Sequence, residues 1–150
     1  IGYLAGGIIR GLFVAAVVSV IALFFTDLNI KYPLLTFVVV VMTAGVFSLA
    51  GLLNAIFAKK FDDIAVIPSF VLAPLTYLGG VFYTVSLLPD FWQTISRFNP
   101  ILYMVNSMRY SVLGTSDIEI IDGMLMIVGF FILLLFTSIY LLKKGIGIRD

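Results

Sequence analysis

"NPILYMVNSMRY", residues 99–110, decides how many times this chain crosses a membrane. Asn99 is a favourable N-cap, Pro100 suits the first helical position, and Gly114 supplies a stop. The helix so delimited, 100–113, is about 21 Å long at about 1.5 Å per residue, short of a hydrocarbon core roughly 30 Å thick. Ile101, Met104, Val105, Met108 and Val112 form an apolar stripe, whereas Tyr103, Asn106, Ser107 and Tyr110 line another face with Arg109 at its edge. The pattern predicts a separate short amphipathic helix rather than a fifth span.

The surrounding residues are those of an integral membrane protein. Hydrophobic residues make up 62% of the 150 and charged residues 11%, with a mean hydropathy of +1.20. That leaves too little polar surface to coat a water-soluble globule. Four spans are predicted, at about 3–25, 33–58, 64–83 and 121–142. All should be helical, because backbone exposed to lipid must satisfy its own hydrogen bonds and no alternating strand pattern occurs. The fold class is therefore all-α and polytopic. The first run lacks the basic flank and cleavage site of a signal peptide, and because the chain starts at Ile1 within an apolar run, it reads as a piece of a longer membrane protein.

Lys and Arg orient the spans. With both termini in the cytoplasm, Arg10, Lys59, Lys60, Lys143, Lys144 and Arg149 lie towards the inside, against Lys31, Arg97 and Arg109 outside, six to three. The segment between the last two spans then lies outside the cytoplasm or dips into the membrane from that side. Its first part, "LPDFWQTISRF", predicts a helix at 89–98 beginning at Pro89. Phe91, Trp92, Ile95 and Phe98 share one face, and Asp90, Thr94 and Arg97 lie roughly opposite, an interfacial pattern. "SDIE", from Ser116, reads as a capping box entering the last span. In the third span Pro68, Pro74 and the pair Gly79–Gly80 predict a kink or break. The charge-free stretch from Ile64 to Leu88, 25 residues, exceeds one straight span. Either the excess turns near Pro89 and returns through 100–113 as a re-entrant hairpin, or one long tilted helix precedes two surface helices.

Several chemistries are excluded or unsupported. The net charge of +1 leaves no nucleic-acid footprint. Cys and His are absent, which removes disulfides, thiolate nucleophiles, His-dependent triads and the commonest metal ligands. No G-x-x-x-x-G-K-[ST] occurs, so nothing cradles a nucleotide phosphate, and no catalytic residues or cofactor are expected in this chain. A proton-driven carrier would want an ionisable group at mid-membrane. The only candidate is Arg10, which two turns from a helix end reads as a snorkelling cation. Gly7, Gly11, Ala15 and Ser19, spaced by four, form a small-residue stripe suited to close helix packing. Asn54 is placed to hydrogen-bond across helices. Arg109, a cation on a short helix at membrane depth, needs a partner, for which Asp117, Glu119 or a lipid phosphate qualifies.

The block from Pro74 to Tyr83, PL-x-x-LGGVFY, together with Leu88, Pro89, Gln93, Asn99, Pro100, Tyr103, Arg109 and Gly114, resembles the signature region of type 2 ABC exporter permeases. With "SLAGLLNAIFAKKFDD", 48–63, the resemblance extends over essentially the whole chain. It implies the C-terminal part, residues 1–150, of one exporter transmembrane domain, multi-pass in a bacterial inner membrane with a cytoplasmic C-terminus. It further implies a homodimer of the full-length permease, bound to cytoplasmic ATP-binding cassette subunits in which ATP and magnesium reside. Gly79, Gly80, Tyr83, Pro89, Asn99, Pro100, Tyr103 and Arg109 would belong to an outer gate of re-entrant helices. Lys59, Lys60, Asp62 and Asp63 would remain as a cytoplasmic contact with the ATPase. A non-transporting membrane scaffold and a secondary transporter are the alternatives, and the substrate is open.

Overall fold

The computed structural model describes residues 2–27, 29–58 and 60–145; Lys59, the tail 146–150 with Arg149, and the side chains at 61 and 62 lie outside the described residues. The order is α1 (Gly2–Leu23), α2 (Pro33–Phe57), α3 (Phe61–Ile67), a π-helical turn (Pro68–Leu72), α4 (Ala73–Tyr77), a 3-10 turn (Val85–Leu87), α5 (Asp90–Arg97), α6 (Pro100–Leu113) and α7 (Ile120–Lys143). Among the described residues there is no strand. Among the described residues three helices, α1, α2 and α7, are long and apolar enough to cross a membrane.

Small residues set how these helices meet. α1 runs antiparallel to α2, with Gly7 against Ser48 and Gly11 against Ala44, so close that a methyl group on either glycine would overlap its neighbour. The Ser48 hydroxyl donates to the Tyr3 carbonyl at 3.3 Å and fixes the register. α7 runs parallel to α2, and the Phe131 ring occupies the place where Gly45 lacks a side chain. α6 packs antiparallel to both: Met104 joins Val46 of α2 and Ile127 of α7 in the buried core, with Met42, Phe131 and Leu134 against them. Lipid is as apolar as these side chains, so tight contact rather than expulsion of water is what holds such helices together.

The depth of α6 follows from its two ends. Its C-terminal carbonyls, at Ser111 and Val112, accept from the N–H groups of Tyr32 and Lys31, at 2.9 and 3.0 Å, level with the start of α2. Tyr32 and Tyr110 stack there, with ring centroids 5.4 Å apart. Met104 lies level with Val46, thirteen residues along α2, or about 20 Å from its start. α5 ends at Arg97 and α6 starts at Pro100, so the joint between the two helices lies at Phe98–Asn99, where Asn99 caps α6.

The third apolar run differs from its sequence reading. Helix occupies 61–77, about 25 Å, and stops short of the expected end at 83. Gly80, at φ 71°, takes the left-handed conformation that glycine adopts without a steric penalty, and Gly79 lies against Ile101 with no room for a methyl group. The prolines act upstream: Pro74 has no N–H for the Phe70 carbonyl, and the run just before it widens so that Ala73 N–H bonds Pro68 O. "SDIE" also departs from expectation. α7 starts at Ile120, its N-cap residue Glu119 makes no side-chain cap, and the Ser116 hydroxyl instead accepts from Ile118 N–H at 3.2 Å and donates to the Ile118 carbonyl.

The packing predicts opposite signs for one substitution at two glycines. Gly129 meets nothing within 4 Å, so Gly129→Ala should stabilise by up to about 1 kcal/mol through helix propensity. Gly7→Ala should destabilise by about 1–3 kcal/mol through the clash with Ser48. Unfolding titrations in mixed micelles measure both, and equal effects would rule out this α1–α2 seating.

Candidate functional site

The chemistry-bearing side chains of this chain gather on α6. Asn99, almost completely buried, caps the helix by accepting from Ile101 N–H at 3.0 Å through Oδ1, while its Nδ2 donates to the Leu75 carbonyl of α4. Pro100 follows in the first turn, where no donor is lost. Tyr103 donates its hydroxyl to the Arg97 carbonyl at 2.8 Å, closing the C-terminal end of α5. One helix turn apart from one another, Tyr103, Asn106 and Arg109 thus address three different neighbours.

Arg109 is the junction. One guanidinium nitrogen, Nη2, donates to the Gly80 carbonyl at 2.7 Å and Nη1 donates to Asp117 Oδ2 at 3.1 Å. The Arg109 and Asp117 side chains are 24% and 23% exposed, so the pair is only partly screened. Gly80 stands at the exit of the third apolar run and Asp117 at the entrance to α7. One cation therefore ties both to α6, with the planar geometry that makes arginine rather than lysine fit two acceptors. The sequence names Asp117 among three partners for Arg109, and the geometry selects it.

Asn106, 2% exposed, completes the junction. Its Nδ2 donates to the Leu102 carbonyl at 3.0 Å, and its Oδ1 accepts from Asp117 N–H at 3.0 Å and from the Ser116 hydroxyl at 3.3 Å. The loop before α7 is held from inside the bundle, which is why the Ser116 hydroxyl turns away from the helix start. Sequence reasoning placed Asn106 on the polar face but missed this role. The available signal was an amide three residues before Arg109, on the same face of an otherwise apolar helix.

The remaining candidate residues sit elsewhere. Tyr83 is half-buried and Pro89 is the exposed residue before α5. At the far end of α2, Lys60 N–H donates to Asp63 Oδ2 at 2.9 Å and starts α3, beside which Asn54 donates to the Ile64 carbonyl at 2.9 Å. Lys59 and the Asp62 side chain are outside the described residues. In the small-residue stripe, Gly7 and Gly11 lie in the α1–α2 contact, whereas Ser19 is exposed and bonds its own helix at the Ala15 carbonyl. A groove of about 950 Å3 runs between α1, α2 and α6, with Arg10 and Thr43 on its wall. Among the described residues no group of three His, Cys, Asp or Glu side chains is placed to hold a metal ion.

Truncating Asn106 leaves the Asp117 N–H without its acceptor, while the Ser116 hydroxyl keeps the Ile118 carbonyl. Asn106→Ala should cost about 1–3 kcal/mol and accelerate hydrogen exchange at the Asp117 amide. Arg109→Ala, at a pair still about a quarter exposed to solvent, should cost less and leave that amide protected. Unchanged exchange at Asp117 in the Asn106 variant would refute the junction as drawn.

Comparison with known proteins places these features. Residues 1–113 match the ABC-2 type transporter family. The chain is 47% identical over 149 residues to the inner membrane transport permease YadH of Escherichia coli strain K12, covering 99% of this chain and 58% of that protein. The YadH permease of Shigella flexneri matches to the same extent. Nodulation protein J of Rhizobium leguminosarum bv. trifolii is 24% identical over 106 residues, 71% of this chain and 40% of that one. The chain thus spans 58% of the length of the curated YadH relatives, and no solved structure matches it significantly. Apolar helices packed through small residues, a short capped helix between the last two apolar runs, and a family match over 113 of the 150 residues lead to one conclusion: the chain belongs to the ABC-2 type transporter family.

Proposed function

We propose that this chain is the C-terminal part of the membrane domain of an ABC exporter permease, resident in a bacterial inner membrane with its C-terminus in the cytoplasm. The full-length permease works as a homodimer, and a separate cytoplasmic cassette subunit hydrolyses ATP with magnesium. The family match and the permease name carried by the YadH relatives support this reading. The chain supplies no energy source of its own in it: helices, not a nucleotide site, are what it contributes.

The observation that carries the mechanism is the level of α6. One end stands beside Tyr32 at the start of α2 and the other reaches Val46, halfway along it. In a bilayer that is a re-entrant helix. α1, α2, the broken run 61–77 with its continuation to Leu88, and α7 are then the four crossings, and α5–α6 is a hairpin dipping from the outside. The excess of lysine and arginine at the opposite end, Lys59, Lys60, Lys143, Lys144 and Arg149 against Lys31, Arg97 and Arg109, sets this orientation. Arg109, Gly80 and Asp117 form an outer latch: with it closed, the hairpin, the third run and α7 move as one piece, and alternating access requires that it open or shift. Lys60 and Asp63, with Lys59 and Asp62 in the same connector, give the cytoplasmic rim that meets the ATPase.

The test is made on the full-length permease co-expressed with the cassette subunit from its own gene neighbourhood. Co-purification, and ATP hydrolysis that depends on the permease, are expected. A permease that never associates with an ATPase would be a scaffold or a secondary carrier, and the proposal would fail. Within the assembled complex, Arg109→Ala should lower transport-coupled ATP hydrolysis by about tenfold while leaving assembly intact, and unchanged hydrolysis removes Arg109 from the latch.

A further inference from the structure

We infer that the groove between α1, α2 and α6 binds an acidic amphiphile, whose acid group meets Arg10 and whose hydrocarbon chain lies along the groove. That such a molecule is cargo rests on the transport reading above; that it binds here rests on the groove itself.

The argument starts from the level of Arg10. On α1 it lies between Gly7, which faces Ser48, and Gly11, which faces Ala44. Ala44 is eleven residues from the start of α2 and Ser48 nine from its end, so Arg10, between them, stands about 17–22 Å from the start of that helix and about 14–20 Å from its end. An arginine side chain covers about half of that distance, so the snorkelling read from the sequence does not bring the guanidinium to an interface. A cation at this depth calls for a counter-ion. Arg10 has no hydrogen-bond or ion-pair partner among the described residues, and no acidic side chain lines the groove.

The wall opposite carries a second unmet group. Thr36, Thr76, Thr94 and Thr137 each turn the hydroxyl back to the carbonyl four residues earlier in the helix. Thr43 does not: its hydroxyl oxygen is buried without a partner, and the residue lines the groove one position from Ala44, at the level of Arg10. The Thr43 oxygen is shielded from the groove, so it is the Arg10 cation that complements a carboxylate or phosphate. Apart from Tyr3 and Ser48 the rest of the lining is apolar, with Val14, Phe47, Met104 and Met108 among it, and methionine adapts to irregular chains. At about 950 Å3, the groove lies in the size range of ligand sites. Positive charge selects an acidic head, and the apolar walls select a hydrocarbon tail, which excludes free sugars and cationic drugs as occupants.

The test uses the full-length permease with its ATPase subunit in neutral detergent, and a palmitic acid carrying a photoreactive diazirine in its chain, beside the methyl ester of the same probe. Mass spectrometry should place the acid label on α1, α2 and α6 residues of the groove, with an acid-to-ester labelling ratio of about ten. Arg10→Gln should bring the ratio to about one, and Arg10→Lys should keep most of it. Equal labelling by acid and ester, or a ratio that survives Arg10→Gln, would overturn the inference by showing that Arg10 is neutralised within the assembled protein. Assembly and ATP hydrolysis, measured on the same samples, report separately on the transport reading. Acid-selective labelling in a permease that never couples to an ATPase refutes that reading and leaves the site.

Discussion

A short helix packed among apolar neighbours leaves end groups with no water to bond, and each end of α6 is closed by protein. At the deep end the Asn99 side chain takes the Ile101 N–H and Pro100 removes a donor. At the outer end Lys31 and Tyr32 donate to the last-turn carbonyls, and Gly114, at φ 77°, lets its own N–H return to Tyr110 O. Each closure uses a different neighbour, so the connector between α1 and α2, the tip of the hairpin and the third apolar run are all positioned by what α6 lacks. The tight seats of Gly45 and Gly123, beneath Phe131 and Ser107, let α2 and α7 close around it.

Polar groups are placed sparingly, and each serves more than one element. Asn106 satisfies the loop before α7 from within the core, and Arg109 spans two segments that lie far apart in sequence, at 80 and 117. Such shared bonds give a membrane bundle specificity that its apolar surfaces do not provide, since leucine against lipid and leucine against leucine differ little in energy. Large apolar side chains on the outside, such as Ile9, Phe13, Phe70 and Phe136, are what a protein solvated by hydrocarbon presents.

How much of this could be read from the residues depends on the range of the interaction. Caps and breakers act locally, so α6 could be read to its end residues from Asn99, Pro100 and Gly114, and the limits of α1, α2 and α7 fall within two residues of those expected. The third run could not be followed to its end: hydropathy continues to Leu88, but the Gly79–Gly80 turn is fixed by Ile101 and Leu102, some twenty residues on. The misread "SDIE" has a related origin, since Asn106 holds the Asp117 N–H from within the core and the Ser116 hydroxyl bonds Ile118 instead of the start of α7. Arg109 announced itself by its cost, whereas the depth of Arg10 depends on the register of α1 against α2, which is set by Gly7 and Gly11 and is invisible to a count along one helix.

The proline-bracketed π turn acquires meaning from the bond between Asn99 and Leu75. α6 is held at its C-terminal end by the two backbone bonds and the Tyr32–Tyr110 stack, and at its start by the bond from Asn99 to Leu75. With a lever arm of about 20 Å, a tilt of about 10° carries the Asn99 tip about 3.5 Å. The tip is tied to Leu75, so α4 travels with it, and the displacement has to be taken up below, where Pro68–Leu72 already lacks regular i to i−4 bonding. The third run is thus jointed: a stiff lower part anchored by Asn54, a compliant turn, and an upper part that follows α6.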